Sequence, residues 1–134
     1  MNKTTILIVE DEAIIAADLA GKLHFLGYEV VGIEATGEKA VELAMSLRPQ
    51  VVLLDIWLKG EMDGIETARK IRRQLDIPVI YLTAHTDPAT LERAKLTDPY
   101  GFILKPFEER EISTTIEMAL YKYQANRHLS LIHI

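Results

Sequence analysis

Five polar residues stand at the ends of four apolar runs, and as a set they could carry phosphoryl-transfer chemistry. Glu10 and Asp11 follow the run ending at Val9, and Asp55 follows Val51-Val52-Leu53-Leu54. Thr83 follows Val79-Ile80-Tyr81-Leu82, and Lys105 follows residues 100–104. Short apolar runs rich in β-branched residues read as buried strands. A carboxylate at the end of such a strand is desolvated on one side and open to solvent on the other. Each residue alone has an ordinary role. Taken singly, Asp55 is better read as a helix cap or turn residue, and the acids after the first run as caps. A Thr in a turn is common, and a Lys before Pro is usually a solvated charge. Their coincidence at four strand ends is what argues for chemistry.

Three carboxylates brought into one cleft repel one another unless a cation is present. They are hard oxygen ligands, suited to Mg²⁺. A lysine and a hydroxyl beside them supply donors for an anion. Carboxylates, Mg²⁺, Lys and Thr together describe a phosphoryl-transfer site, where catalysis is mostly positioning and charge neutralisation. No Gly-rich phosphate loop of a standard kind is present, so the phosphoryl donor must come from outside the chain. A carboxylate can itself be the nucleophile and form an acyl phosphate.

The elements that must position these residues alternate regularly. Strand one is predicted at residues 5–9, followed by a helix with Ile15, Leu19, Leu23 and Leu26 on one face and Gly27 as its stop. Strand two spans 29–35, and helix two carries Ala40, Val41, Ala44 and Leu47 and ends before Pro49. Strand three delivers Asp55, and helix three buries Ile65, Ala68, Ile71 and Leu75. Strand four is 79–82. A short helix four starts at Asp87-Pro88, as cap and first helical residue, with Leu91, Ala94 and Leu96 as its apolar positions. Strand five is 100–104, and helix five begins near Glu108 with Ile112, Ile116, Ala119, Leu120 and Tyr123. Five strand–helix units with continuously apolar strands imply a parallel sheet covered on both faces. Right-handed crossovers then favour a flavodoxin-like (βα)5 three-layer sandwich with strand order 2-1-3-4-5. That order gathers the ends of strands one, three, four and five.

Composition excludes several alternatives. At 134 residues the chain fits one domain. A net charge of −5 argues against non-specific binding of nucleic acid, which needs a basic surface. There is no cysteine, which removes disulfide and thiol chemistry and fits a reducing cytoplasm. No apolar stretch approaches membrane-spanning length, and the N-terminus lacks the features of a signal peptide. The expected location is the cytoplasm.

The residues at these strand ends carry a family resemblance. Ile6-Leu7-Ile8-Val9-Glu10-Asp11-Glu12, Val52-Leu53-Leu54-Asp55, Met62-Asp63-Gly64, Leu82-Thr83-Ala84 and Lys105-Pro106-Phe107 resemble, in order, the motifs of a two-component response regulator receiver domain (the CheY-like superfamily). Each motif alone is weak, but the ordered set is specific and covers about residues 5–122. The resemblance implies that Asp55 accepts a phosphoryl group from a sensor histidine kinase or phosphotransfer protein. It implies Mg²⁺ as cofactor, held by Glu10, Asp11, Asp55 and the main-chain carbonyl of Trp57. Thr83, the amide of Ala84 and Lys105 would receive the phosphoryl oxygens. Thr83 and Phe102 would form the switch, reshaping the face of helix four, strand five and helix five. Trp57 and His85 match the variable positions that tune phosphate lifetime. Self-phosphorylation and self-dephosphorylation are implied, without a separate output enzyme in this chain.

The sequence departs from the family pattern in four places. Glu10 stands where Asp is commoner. The loop from Ile56 to Gly64 is one residue longer than usual and lacks the usual proline. Phe102 replaces Tyr and loses its hydroxyl. Asp98-Pro99 stands where small residues are usual. Trp57 is large for its position, and two readings stay open: it shields the site from water, or it packs on the surface.

Residues 1–122 are assigned to the receiver domain and 123–134 to an extension of the last helix or a linker. A homodimer through helix four, strand five and helix five is a further expectation, motivated by Tyr100, Phe102 and the apolar tail. His24, His85, His128 and His133 have no metal-ligand spacing. An alternative is a receiver-like interaction module that no longer cycles, but the intact set Asp11, Asp55, Thr83 and Lys105 argues against it. A phosphatase with an Asp nucleophile would want a second acid where Trp57 stands, and a flavin carrier would not have an acidic loop after strand one.

Overall fold

The computed structural model describes residues 3–84 and 88–132, the side chains of residues 128–132 excepted. Its elements are β1 (Thr5–Val9), α1 (Ala13–Phe25), β2 (Glu29–Glu34), α2 (Gly37–Leu47), β3 (Val51–Asp55), α3 (Gly64–Gln74), β4 (Val79–Thr83), α4 (Pro88–Lys95), β5 (Gly101–Leu104) and α5 (Glu109–Ile132). All strand pairs are parallel, in the order β2-β1-β3-β4-β5. This is the flavodoxin-like (βα)5 arrangement that the alternation of strand and helix implies.

The strands alternate their side chains between two cores, as the period of two requires. Ile6, Ile8, Leu53, Ile80, Leu82 and Ile103 face α1 and α5, meeting Leu19, Leu23, Ile112 and Ile116. Leu7, Val9, Val52, Leu54, Val79 and Tyr81 face the other way, toward Ala40 and Ala44 of α2, Ile65, Ala68 and Ile71 of α3, and Ala94 of α4. The sheet is therefore the middle of three layers. Full burial of each large aliphatic side chain stabilises by about 1.5–3 kcal/mol, and both faces contribute.

Local details follow from the residues. Gly27 takes a φ of +94° after α1, and Arg48 closes α2 at +46°. The Asp63 carboxylate caps α3 by accepting the Glu66 N–H at 2.9 Å. Several sequence expectations shift. β2 stops at Glu34, β4 reaches Thr83 and β5 starts only at Gly101. On α1 the buried position is Ala16, with Ile15 and Leu26 only partly covered. Leu47 is exposed at the last residue of α2, and Leu96 is exposed because α4 ends one residue before it. The expected cap Asp87 lies outside the described residues. No helix among the described residues is long and apolar enough to cross a membrane.

The last helix continues through Ile132. Beyond the buried Ala119 it is tied back to the domain. The Tyr123 hydroxyl donates to the Asp76 carbonyl at 2.8 Å, the Arg127 guanidinium donates to that same hydroxyl at 2.8 Å, and Asn126 donates to the Tyr100 hydroxyl at 3.3 Å.

Candidate functional site

The ladder hydrogen bonds of the sheet fix the strand ends that carry the chemistry. Glu10 N–H donates to the Glu34 carbonyl at 2.9 Å, Ile56 N–H to Leu82 at 3.2 Å, and Lys105 N–H to Thr83 at 2.9 Å. Asp55 pairs in register with Leu82, and Thr83 with Leu104. Glu10, Asp11, Asp55, Thr83 and Lys105 thus lie at the C-terminal edge of one sheet, where open α/β folds place their ligands.

Glu10, Asp55 and Thr83 are almost fully buried, at 2%, 4% and 5% exposure. One carboxylate oxygen from each of Glu10, Asp11 and Asp55 lies within 4.8 Å of the others. This donor set fits a hard divalent cation: all ligand atoms are carboxylate oxygens, drawn from two neighbouring strand ends. The Lys105 ammonium enters the same cluster. It donates to Glu10 Oε1 at 2.9 Å and lies 3.5 Å from Asp55 Oδ2. Burial raises the Glu10 carboxyl above its ordinary range, although Lys105 and the Glu12 N–H pull it down. Burial alone would lower the Lys105 ammonium, but the hydrogen bond to Glu10 and the charge of Asp55 outweigh it and hold the group above its ordinary value. The lysine therefore stays charged beside the acids.

Main-chain amides position the carboxylates further. Trp57 N–H donates to Asp55 Oδ1 at 3.0 Å, Glu12 N–H to Glu10 Oε2 at 3.1 Å, and Lys59 N–H to Asp11 Oδ2 at 3.1 Å. The loop that supplies two of these donors is closed by Gly64, whose N–H bonds the Ile56 carbonyl at 3.2 Å. A Cβ at Gly64 would overlap the Asp55 carbonyl oxygen. Only glycine lets the start of α3 approach the Asp55 main chain so closely. The Lys105–Pro106 peptide bond is cis.

The remaining predicted residues fall around this centre. The Trp57 ring is half exposed on the loop. Ala84 and Thr83 line a groove of about 560 Å³ that also reaches Phe102. The Phe102 ring packs on buried Tyr81 with ring centroids 5.7 Å apart, and the Tyr81 hydroxyl is 2.6 Å from the Thr97 hydroxyl just past α4. Phe102 thus lies between the Thr83 groove and a side chain that holds the end of α4. His85 lies outside the described residues.

Sequence reasoning missed two contributions. The close approach at Gly64 had a faint signal, a Gly directly after a capping Asp. The main-chain donors of Trp57 and Lys59 had none, because an amide is present at every residue except proline.

Comparisons with known proteins converge. Residues 6–117 match the family model for the response regulator receiver domain. The Transcriptional regulatory protein PdtaR of Mycobacterium tuberculosis is 36% identical over 119 residues, covering 89% of this chain and 58% of that protein. The Phyllosphere-induced regulator PhyR of Methylorubrum extorquens is 35% identical, covering 92% of this chain and 46% of that protein. The chain spans about half the length of these curated relatives. Among solved structures, the signal receiver domain of a modulated diguanylate cyclase from Desulfovibrio desulfuricans G20 superposes with a TM-score of 0.89 at 39% identity, covering 93% of this chain and 99% of that one. The N-terminal domain of a response regulator/sensory box/GGDEF protein from Carboxydothermus hydrogenoformans gives a TM-score of 0.83 at 43% identity, covering 92% and 99%.

Proposed function

The chain belongs to the response regulator receiver domain family, and on that premise we propose that it is the phosphoacceptor of a two-component phosphorelay, with Asp55 as the modified residue. The observation that carries this reading is the Lys105 ammonium set between Glu10 and Asp55, 2.9 and 3.5 Å from their oxygens, in a buried acidic cluster.

The residues divide the work. Asp55 Oδ1 accepts the Trp57 N–H, which leaves Oδ2, the oxygen facing Lys105, as the nucleophile. It attacks the phosphorus of a phosphohistidine on a sensor kinase or phosphotransfer protein. The P–O bond forms as the P–N bond breaks, and the bonding pair leaves on the imidazole nitrogen. The product is an acyl phosphate. Hydrolysis reverses the change: water attacks phosphorus and Asp55 leaves as its carboxylate. Lys105 offsets the charge of the phosphoryl oxygens, and the Thr83 hydroxyl and Ala84 amide donate to them. Glu10, Asp11, Asp55 and the Trp57 carbonyl would hold Mg²⁺. When bound, the ion neutralises the acidic cluster and the incoming oxygens.

The modification replaces the single charge of the Asp55 carboxylate with a phosphoryl group carrying about −1.5 to −2 and brings new acceptor oxygens beside Thr83. Thr83 moving toward them frees space in the groove it shares with Phe102. The Phe102 ring turning into that space would shift its contact with Tyr81 and bias the α4–β5–α5 face between two packings. That face is the proposed output surface and the proposed homodimer contact. The domain itself needs no contact with nucleic acid or membrane, and the cytoplasm suits its kinase partner.

The test is incubation with acetyl phosphate and Mg²⁺, followed by intact-mass measurement. One phosphoryl adduct is expected. It should need the metal and be absent in Asp55→Asn. An adduct of equal yield in that variant, or none in the parent, overturns the assignment.

A further inference from the structure

Asp11 is held by a residue 48 positions away, in the loop that follows the phosphoacceptor. The loop's Lys59 N–H donates to Asp11 Oδ2 at 3.1 Å, and its Trp57 N–H donates to Asp55 Oδ1 at 3.0 Å. Two of the three clustered carboxylates therefore take a main-chain donor from one short segment. Gly64 anchors the far end of that segment under Asp55. The Lys59 side chain has no part in this, since the donor is its amide.

We infer that Lys59 is a positioning residue, whose main-chain N–H sets the Asp11 carboxylate for divalent-cation binding and thereby couples loop order to the cation. The inference rests on the metal-assisted receiver reading above. A carboxylate has two oxygens and about four lone-pair sites. With Oδ2 committed to Lys59, Oδ1 remains to face a cation, and the carboxylate no longer has to be ordered when the cation arrives. Partners that orient metal ligands in this way change metal affinity by about 10- to 100-fold when removed. Coupling is reciprocal, so a bound cation must in turn protect the Lys59 amide.

Trp57, the only tryptophan of the chain, supplies one of the two donors and reports on the loop by fluorescence. Lys59→Ala and Lys59→Pro both lose the lysine side chain, but only Lys59→Pro loses the N–H. Mn²⁺ titration followed by Trp57 fluorescence should show Lys59→Pro binding about 10-fold more weakly than Lys59→Ala. Equal affinities in two folded variants overturn the inference. If Lys59→Pro does not fold, amide hydrogen exchange decides the question without metal. The Lys59 amide should exchange about 10-fold faster in Asp11→Ala than in the parent. Equal exchange in the two proteins overturns the inference. A parent that takes up no Mn²⁺ defeats the metal-assisted reading instead, while the exchange comparison still tests whether Lys59 positions Asp11.

Discussion

The Lys105 ammonium bridges Glu10 and Asp55, bonding the first at 2.9 Å and lying 3.5 Å from the second. One cation at the end of β5 thus offsets two carboxylates at the ends of β1 and β3, in a cluster closed to most solvent. Lys105→Ala leaves those acids facing each other. A loss of roughly 1–3 kcal/mol in urea unfolding is expected without metal. Added Mg²⁺ should recover more stability in the variant than in the parent, because a divalent cation replaces the missing charge and binds more tightly there. Equal recovery would place the lysine outside the metal cluster's electrostatics.

Gly64 and Gly21 form a matched pair of tests. A Cβ at Gly64 meets the Asp55 carbonyl, whereas one at Gly21, inside α1, meets nothing within 4 Å. Gly64→Ala should cost about 1–3 kcal/mol by overpacking. It should also slow phosphoryl uptake from acetyl phosphate, since the Asp55 main chain must move. Gly21→Ala should gain about 0.5–1 kcal/mol from helix propensity alone. Denaturant melts and adduct rates check both.

Phe102 packs on Tyr81, which in turn meets Thr97 beyond α4. Phe102→Ala should lose roughly 1–2 kcal/mol for a half-buried ring. It should also uncouple modification from the output face. Hydrogen exchange across α4 and β5, with and without beryllofluoride as a phosphoryl mimic, reads this directly. A response in the variant as large as in the parent would remove Phe102 from the switch.

Tyr28 gives a pH signature far from the site. Its hydroxyl donates to Glu117 at 2.7 Å, and burial, that hydrogen bond and the Glu117 charge push the phenol up to about 12, against an ordinary 10.0. The folded state therefore holds a proton that the unfolded state has released between those two values. This contribution is intact below pH 10 and is lost as pH rises from about 10 to about 12, reaching about 2–3 kcal/mol. Tyr28→Phe should flatten that part of the pH–stability curve. An unchanged slope would mean the phenol does not titrate in this way.

The fold was legible because its strands are uninterrupted apolar runs and its helices have clear three- and four-residue spacing. Where an element ends, the pattern weakens. Leu96 continues the apolar spacing of α4 but falls past its last turn, and the spacing of α1 takes in Ile15, whereas the smaller Ala16 is the residue that fits against the sheet. At the site, Glu10, Asp11, Asp55, Thr83 and Lys105 could be grouped from sequence, because strand order decides which ends are neighbours. Which charges pair could not be read. The Lys105–Glu10 contact depends on side-chain reach across two strands, and the Lys59 amide on Asp11 depends on the path of a loop with no periodic pattern.

Borohydride trapping followed by peptide mass mapping tests the central claim most directly. An aspartyl phosphate is reduced to homoserine at the residue that carried it. After treatment with acetyl phosphate and Mg²⁺, homoserine is predicted at position 55 alone. Homoserine at Asp11 or another acid, or none at position 55 in protein carrying the adduct, would contradict the assignment of Asp55 as the phosphoacceptor.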